Sequence, residues 1–294
     1  MIRGSTRVAA VIGWPVEHSR SPQMFEAAFA AAGMDAVMIP IGVPPDGLAT
    51  IVAALRAMRA IGACVTLPHK LAAAALCDEL SPDAQATGAV NCLRLYGDHV
   101  MGHNTDCHGF TDGLVAAGFD PAGKRCAILG AGGAARAVAY GLRVAGAVAV
   151  DVIARRPQRV AWTTARTWTP VELRSSFARA DLVVDATPMG LADGGDAATV
   201  DTLPLADLRP SAWVSTLVYH QPTLLLERAA ERGHSTVDGR GMLVHQGARA
   251  FAFWTGAAPP IQAMQRALNE AIDGRDMPPA GGAPGWGRGS VDGT

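Results

Sequence analysis

Apolar and polar positions fall in blocks along this chain, and the blocks predict its elements. Short apolar runs at residues 8–12, 37–41 and 63–67 read as buried strands. Pro40 inside the second run points to a sheet edge, because proline cannot donate to a ladder. Helical stretches over 23–32, from Pro44-Pro45-Asp46 to about Arg59, and over 68–80 follow the strands in turn. This alternation implies a parallel α/β sheet. Residues 88–95 and 99–104 flank Tyr96-Gly97-Asp98 and predict a β-hairpin. Such pairing brings Asn91 close to Asp106, just before a helix starting near His108.

A second alternating unit begins near Gly123. Its predicted strands are 126–129, 148–153, 181–186, 212–217 and 235–237. One helix runs from the glycine turn at 130–133 to about Ala145, another from about Thr223 to Arg232. Residues 192–198 read as a polar, glycine-rich loop. Two further helices cover 242–254 and 260–272. From Gly274 onward the chain is rich in Gly and Pro without an apolar period, and a disordered tail is expected over 274–294.

Composition narrows the function classes. The 294 residues suffice for two domains, and 49% hydrophobic content supplies ample core. Lys and Arg (25) nearly balance Asp and Glu (26), for a net charge of −1. No basic block offers a footprint for nucleic acid or an anionic membrane. No apolar run is long enough to span a bilayer. The five cysteines are odd in number, widely spaced and without a C-x-x-C pair, so a reducing, cytoplasmic setting and no metal site are expected.

Five stretches carry candidate chemistry. Lys70 falls in the first turn of a predicted helix, where the dipole's positive end favours a neutral amine. Such a lysine is a candidate acid/base, although a solvated surface lysine fits this segment by itself. Ser21 before Pro22 suits a helix cap, and Ser19 with Ser21 equally suits an anion at a helix start. Asp106 suits either a cap or a partner for chemistry. Gly130-Ala-Gly-Gly-Ala-Ala135 is a G-x-G-x-x-[GA] loop between strand and helix. Gly130 allows the tight turn, Gly132 lets backbone approach a pyrophosphate, and Ala135 permits close helix packing. The next strand ends at Ala154, where an NAD site usually has an acid. Arg155, Arg156 and Arg159 follow, and guanidinium forks suit a 2′-phosphate, which favours NADP over NAD.

Seven segments, in order, together resemble the shikimate dehydrogenase family. They are residues 13–22 (Gly-Trp-Pro-Val-Glu-His-Ser-Arg-Ser-Pro), 65–70 (Val-Thr-Leu-Pro-His-Lys), 88–91, 104–106, 130–133, 186–190 and 241–246. The resemblance implies an α/β protein of two domains. An N-terminal substrate domain with a mostly parallel sheet (1–106) would precede a Rossmann NAD(P)-binding domain (107–238). Helices over 239–273 would return to the first domain, with the active site in the cleft. It implies that Lys70 and Asp106 form the catalytic pair and that Ser19 and Ser21 hold a substrate carboxylate. Thr66, Asn91 and Gln246 would hold ring hydroxyls, and Tyr219 would also reach the substrate. Gly130, Gly132, Gly133, Ala134, Thr187, Met189, Gly239 and Met242, with the three arginines, would surround NADP.

The implied reaction is reversible, NADP-dependent reduction of 3-dehydroshikimate to shikimate. The alternatives are a paralogue acting on quinate or another hydroxy acid with NAD(P), and a non-catalytic dinucleotide sensor. The implied partner is a small hydroxy acid, and the implied assembly a monomer or homodimer. The chain departs from the family pattern at Cys64 (usually Asn), His103 (usually Asp) and Cys107 (usually Gly).

Overall fold

The first apolar run becomes an interior strand of a six-stranded sheet. In the computed structural model, which describes residues 2–191 and 196–274, strand β1 (Arg7–Gly13) is flanked in parallel by β2 (Ala36–Gly42) and β3 (Gly62–Val65). Residues 9–12 are at most 2% exposed, as expected for a strand covered on both faces. β2 is an edge strand, as Pro40 predicts. The short strand β4 (Glu79–Leu80) and the hairpin β5 (Cys92–Tyr96) and β6 (His99–His103) complete the order β2-β1-β3-β5-β6-β4. The hairpin is antiparallel and the remaining pairs outside β3–β5 are parallel.

Helices α1 (Ser21–Ala31), α2 (Leu48–Ala57), α3 (Lys70–Ala74) and α4 (Pro82–Thr87) connect these strands. Two expectations need correction. The helix expected over 68–80 is only the five residues of α3. A turn precedes it, closed by His69 N–H on the Thr66 carbonyl at 3.0 Å. After α3 the chain turns into the sheet, where Asp78 accepts the Val100 N–H at 2.7 Å and β4 pairs with β6. The next helix, α4, starts at Ser81-Pro82, whose serine side chain accepts from Ala84 N–H. Ser21 is likewise not a cap but the first residue of α1, and Arg20 holds the capping position without a side-chain bond.

The second sheet is wholly parallel. Its strands are β7 (Arg125–Leu129), β8 (Ala149–Ala154), β9 (Ala165–Thr167), β10 (Leu182–Asp185), β11 (Trp213–Thr216) and β12 (Ser235–Val237). Their order, β12-β11-β10-β7-β8-β9, reverses at β7, which is the doubly wound arrangement that binds dinucleotides at the switch point. Helices α5 (Asp106–Ala116), α6 (Gly133–Val144), α7 (Pro170–Phe177), α8 (Ala197–Val200), α9 (Leu224–Ala230), α10 (Arg240–Thr255) and α11 (Ile261–Ile272) follow in the chain. α8 begins inside the loop expected at 192–198, whose residues 192–195 lie outside the described residues. Residues 275–294 of the expected tail also lie outside them.

The last two helices return to the first sheet. Trp254 of α10 stacks on Phe25 of α1 (5.0 Å between centroids), and Phe251 on Phe29 (5.9 Å). Met264 and Leu268 of α11 join the same core. Burial of each such side chain is worth about 1.5–3 kcal/mol. On the other face Leu48, Val52 and Leu55 of α2 are buried.

Glycines let α5 lie tightly between its neighbours. A Cβ on Gly113 would sit 2.8 Å from the Gly241 carbonyl carbon and 2.9 Å from Met242 N. On α6, a Cβ at Gly141 would strike the Cys107 carbonyl. In an open helix Gly→Ala gains about 1 kcal/mol. Here backbone meets backbone and cannot yield cheaply, and overpacking costs about 1–3 kcal/mol. Gly113→Ala is therefore expected to lose net stability, by up to about 2 kcal/mol, read as a lower denaturant midpoint with unchanged slope.

Candidate active site

The candidate residues from Ser19 to Asp106 sit where strands of the first sheet end or begin on one side, while Tyr219 follows β11 and Gln246 lies in α10. β1 ends at Gly13, and the loop after it carries Ser19 and leads to Ser21. β3 ends at Val65, followed by Thr66 and Lys70. β5 runs antiparallel to β3, so its start lies on the same side, where Asn91 accepts the Val65 N–H on its carbonyl at 2.7 Å. β6 ends there too and delivers Asp106 as the first residue of α5. The expected proximity of Asn91 and Asp106 is met at 2.9 Å.

These loops enclose a cavity of about 290 Å³. Ser19, Ser21, Thr66, Lys70, Asn91, Asp106, Tyr219 and Gln246 all line it, as do Ala134, Gly239 and Met242. Lys70 Nζ donates to Asp106 Oδ2 at 2.6 Å, with the carboxylate only 8% exposed. The short α3 leaves little dipole beneath Lys70, and Asp106 supplies an opposite charge directly. The remaining Asp106 oxygen accepts from Asn91 Nδ2. Ser19 Oγ accepts from Ser21 N–H at 3.3 Å, which sets both hydroxyls beside the start of α1.

The wall includes groups that the residue pattern alone did not single out as site residues: His18, Leu217 and Leu243. His18 stood inside the segment 13–22. Leu217 and Leu243 carry no polar signal, and only the fold brings them here. Cys64 also reaches the cavity, whereas His103 and Cys107 do not. His103 packs edge-on against Phe253, 5.3 Å between centroids, and Cys107 is fully buried against α6. Burial, aided by the nearby Asp106 charge, pushes the Cys64 thiol up to about 12, so it stays protonated at neutral pH. Burial also pushes the Tyr219 phenol above its usual range, partly offset by Arg20 across the cleft.

The dinucleotide loop lies at the switch point of the second sheet. Gly130 has φ +101° and passes the Ala186 carbonyl so closely that a Cβ would lie 3.0 Å from it. A Cβ on Gly132 or Gly133 would meet nothing within 4 Å, so both face open space before the N-terminus of the twelve-residue α6. Uncapped helix N–H groups facing such space suit a pyrophosphate. Ala135 is fully buried against β7. Arg155, Arg156 and Arg159 are exposed in the turn after β8 and make no ion pair with a described residue. Thr187 donates its N–H (2.9 Å) and hydroxyl (2.6 Å) to Asp185, and accepts Met189 N–H at 3.1 Å. These groups fit a phosphorylated dinucleotide. Among the described residues no cluster of His, Cys, Asp or Glu is placed to hold a metal.

Comparisons with known proteins agree with this geometry. The sequence profile of the shikimate dehydrogenase substrate binding domain matches residues 11–93, and that of the shikimate 5′-dehydrogenase C-terminal domain matches 239–268. Shikimate dehydrogenase (NADP(+)) of Moorella thermoacetica is 40% identical over 296 residues, covering 96% of this chain and 99% of that protein. The crystal structure of shikimate dehydrogenase from Aquifex aeolicus superposes with a TM-score of 0.83 at 30% identity, over 91% of this chain and 99% of the other. Shikimate 5-dehydrogenase of Thermus thermophilus, solved with NADP(H) and shikimate, gives 0.79 at 34% identity, over 90% and 100%. An α/β chain with a doubly wound second sheet, a Lys–Asp pair in its cleft and relatives of this identity over nearly its whole length belongs to the shikimate dehydrogenase family.

Proposed function

We propose that this chain is an NADP-dependent oxidoreductase that reduces 3-dehydroshikimate to shikimate, reversibly. The observation that carries the reading is the Lys70–Asp106 pair, 2.6 Å apart, at the wall of a cavity ringed by hydroxyl and amide groups. The relatives described above, named for this activity, support it. In this reading Ser19 and Ser21 receive the substrate carboxylate. Thr66, Asn91 and Gln246 receive ring hydroxyls, and Tyr219 closes over them from the second sheet. Residues 1–106 form the substrate domain, 107–238 the nucleotide domain, and 239–273 the returning helices.

NADPH, when bound, supplies the hydride to the carbonyl carbon. As negative charge develops on the ketone oxygen, the Lys70 ammonium stabilises it and gives up one proton. Asp106 holds the ammonium in line during transfer. The neutral Lys70 amine then regains its proton from solvent. In the oxidative direction the same amine removes the hydroxyl proton. Gly130, Gly132, Gly133 and Ala134 would hold the pyrophosphate and Thr187, Met189, Gly239 and Met242 the nicotinamide end. Arg155, Arg156 and Arg159 would take the 2′-phosphate.

The cofactor assignment has its own test. A charge-assisted hydrogen bond is worth about 1.5–3 kcal/mol, or about 10–100-fold in affinity. Arg155→Ala or Arg159→Ala is expected to weaken NADP+ binding by roughly that factor while leaving NAD+ binding unchanged. Equal effects on both cofactors in a titration calorimeter would contradict it. No helix among the described residues is long and apolar enough to cross a membrane. A cytoplasmic enzyme acting as monomer or homodimer completes the reading, and the reduced cysteines are compatible with it.

A further inference from the structure

Lys70 does not hold the Asp106 carboxylate alone. Asp106 Oδ1 accepts from Asn91 Nδ2, and that contact attracts only while the amide nitrogen faces the carboxylate. An Asn91 amide turned over would set oxygen against oxygen. Thr105 decides the orientation. Its backbone N–H meets the Asn91 Oδ1 at 2.7 Å, and a backbone N–H can only donate. The amide oxygen is thereby held toward Thr105 and the nitrogen is left for Asp106.

The Thr105 hydroxyl extends the network. Its oxygen accepts from Asn91 Nδ2 at 3.0 Å, and its one hydrogen can go to Asn91 Oδ1 at 3.2 Å or to Gln246 Oε1 at 3.5 Å. Gln246 Oε1 also lies 3.3 Å from Asn91 Nδ2, and Gln246 Nε2 donates to the Leu243 carbonyl at 2.9 Å. One hydroxyl therefore touches two amides that reach the cavity from different elements, the start of β5 and the middle of α10. Thr105 itself is fully buried and does not line the cavity.

We propose that the Thr105 hydroxyl is a positioning group for the reaction: with the Asn91 amide already oriented by the Thr105 backbone N–H, the hydroxyl fixes where the Asn91 and Gln246 amides sit, so that Asp106 holds Lys70 in line with the substrate oxygen. The inference rests on the proton-transfer reading of Lys70 and Asp106. It adds that transfer depends on a residue the substrate never touches.

Thr105→Ser and Thr105→Ala form the test pair, because both remove the methyl group and differ only in the hydroxyl. With 3-dehydroshikimate and NADPH, Thr105→Ala is expected to lower kcat about 10–100-fold, the scale of a small misplacement of reacting groups. Affinity for NADP+ should change little, since the dinucleotide loop lies on the other sheet, and KM for the ketone should rise by less than kcat falls, because Asn91 and Gln246 also receive its ring hydroxyls. The solvent deuterium isotope effect on kcat should rise, because proton delivery becomes slower. Thr105→Ser should stay within about threefold of wild type, well short of such a misplacement. Equal kcat in the Ser and Ala variants would overturn the inference, whatever their stability. So would a loss in the Ala variant that leaves the isotope effect unmoved, since that is what a merely structural role gives. A wild-type enzyme without turnover would instead overturn the parent reading, and this inference with it.

Discussion

Lys70→Met is expected to lower kcat for 3-dehydroshikimate reduction by about two to four orders of magnitude, the range for loss of a positioned acid. Methionine keeps much of the length and apolar stem of lysine and removes only the ammonium. The side chain is 21% exposed, so the fold should survive the change. Asp106 would lose its 2.6 Å partner yet keep the Asn91 bond. NADP+ binding at the glycine loop, on the other sheet, should persist. A steady-state assay with NADPH, paired with NADP+ titration of the variant, reads both. Near-normal turnover would remove Lys70 from the mechanism, whereas loss of NADP+ binding would show a damaged fold instead.

The second large effect concerns stability. Asp185 ends β10 beneath the dinucleotide loop and is 1% exposed. Burial pushes its carboxyl up from 3.8 to about 6, against the two Thr187 hydrogen bonds that favour the anion. The folded value thus lies above the unfolded one. Well below about pH 4 the group is neutral in both states and costs nothing. As pH rises from about 4 to 6 the unfolded chain ionises before the folded one, so the folded state is progressively penalised, and above 6 the penalty levels off. At about 1.4 kcal/mol per unit, the penalty above pH 6 is roughly 3 kcal/mol. An asparagine oxygen can still accept both Thr187 donors. Asp185→Asn should therefore raise unfolding free energy at pH 8 by about 2–3 kcal/mol, with only about 0.5 kcal/mol of that gain left at pH 4. Denaturant melts at the two values check the sign. A variant destabilised at pH 8 would show that the anion is needed there.

Much of this molecule was readable before its structure. The run at 8–12 carries no polar residue and forms an interior strand, paired on both sides. The hairpin turn at Tyr96-Gly97-Asp98 correctly joined Asn91 to Asp106, and the glycine turn correctly marked the switch point of the second sheet. The errors have physical causes. Ala72 to Ala75 favour helix by propensity, so the chain from 68 to 80 read as one helix. Pairing of Glu79 and Leu80 with β6 overrode that preference. The segment from 160 to 180 yielded no element, because β9 is a three-residue edge strand with no buried run. α7 nonetheless carries a start signal in Thr169-Pro170-Val171-Glu172, with the threonine accepting from Glu172 N–H. In the site, charged and hydroxyl residues were legible as types. Thr105 was not, because its part depends on two amides 14 and 141 residues away in the chain. Among the departures from the family pattern, only Cys64 borders the cavity, so it bears most directly on substrate choice.

The most direct measurement is the oxidative rate of the wild-type enzyme with NADP+ and either shikimate or quinate, followed by the absorbance of NADPH. The expected result is a clearly higher kcat/KM for shikimate, and a higher one with NADP+ than with NAD+. No turnover of shikimate, or a preference for quinate, would contradict it.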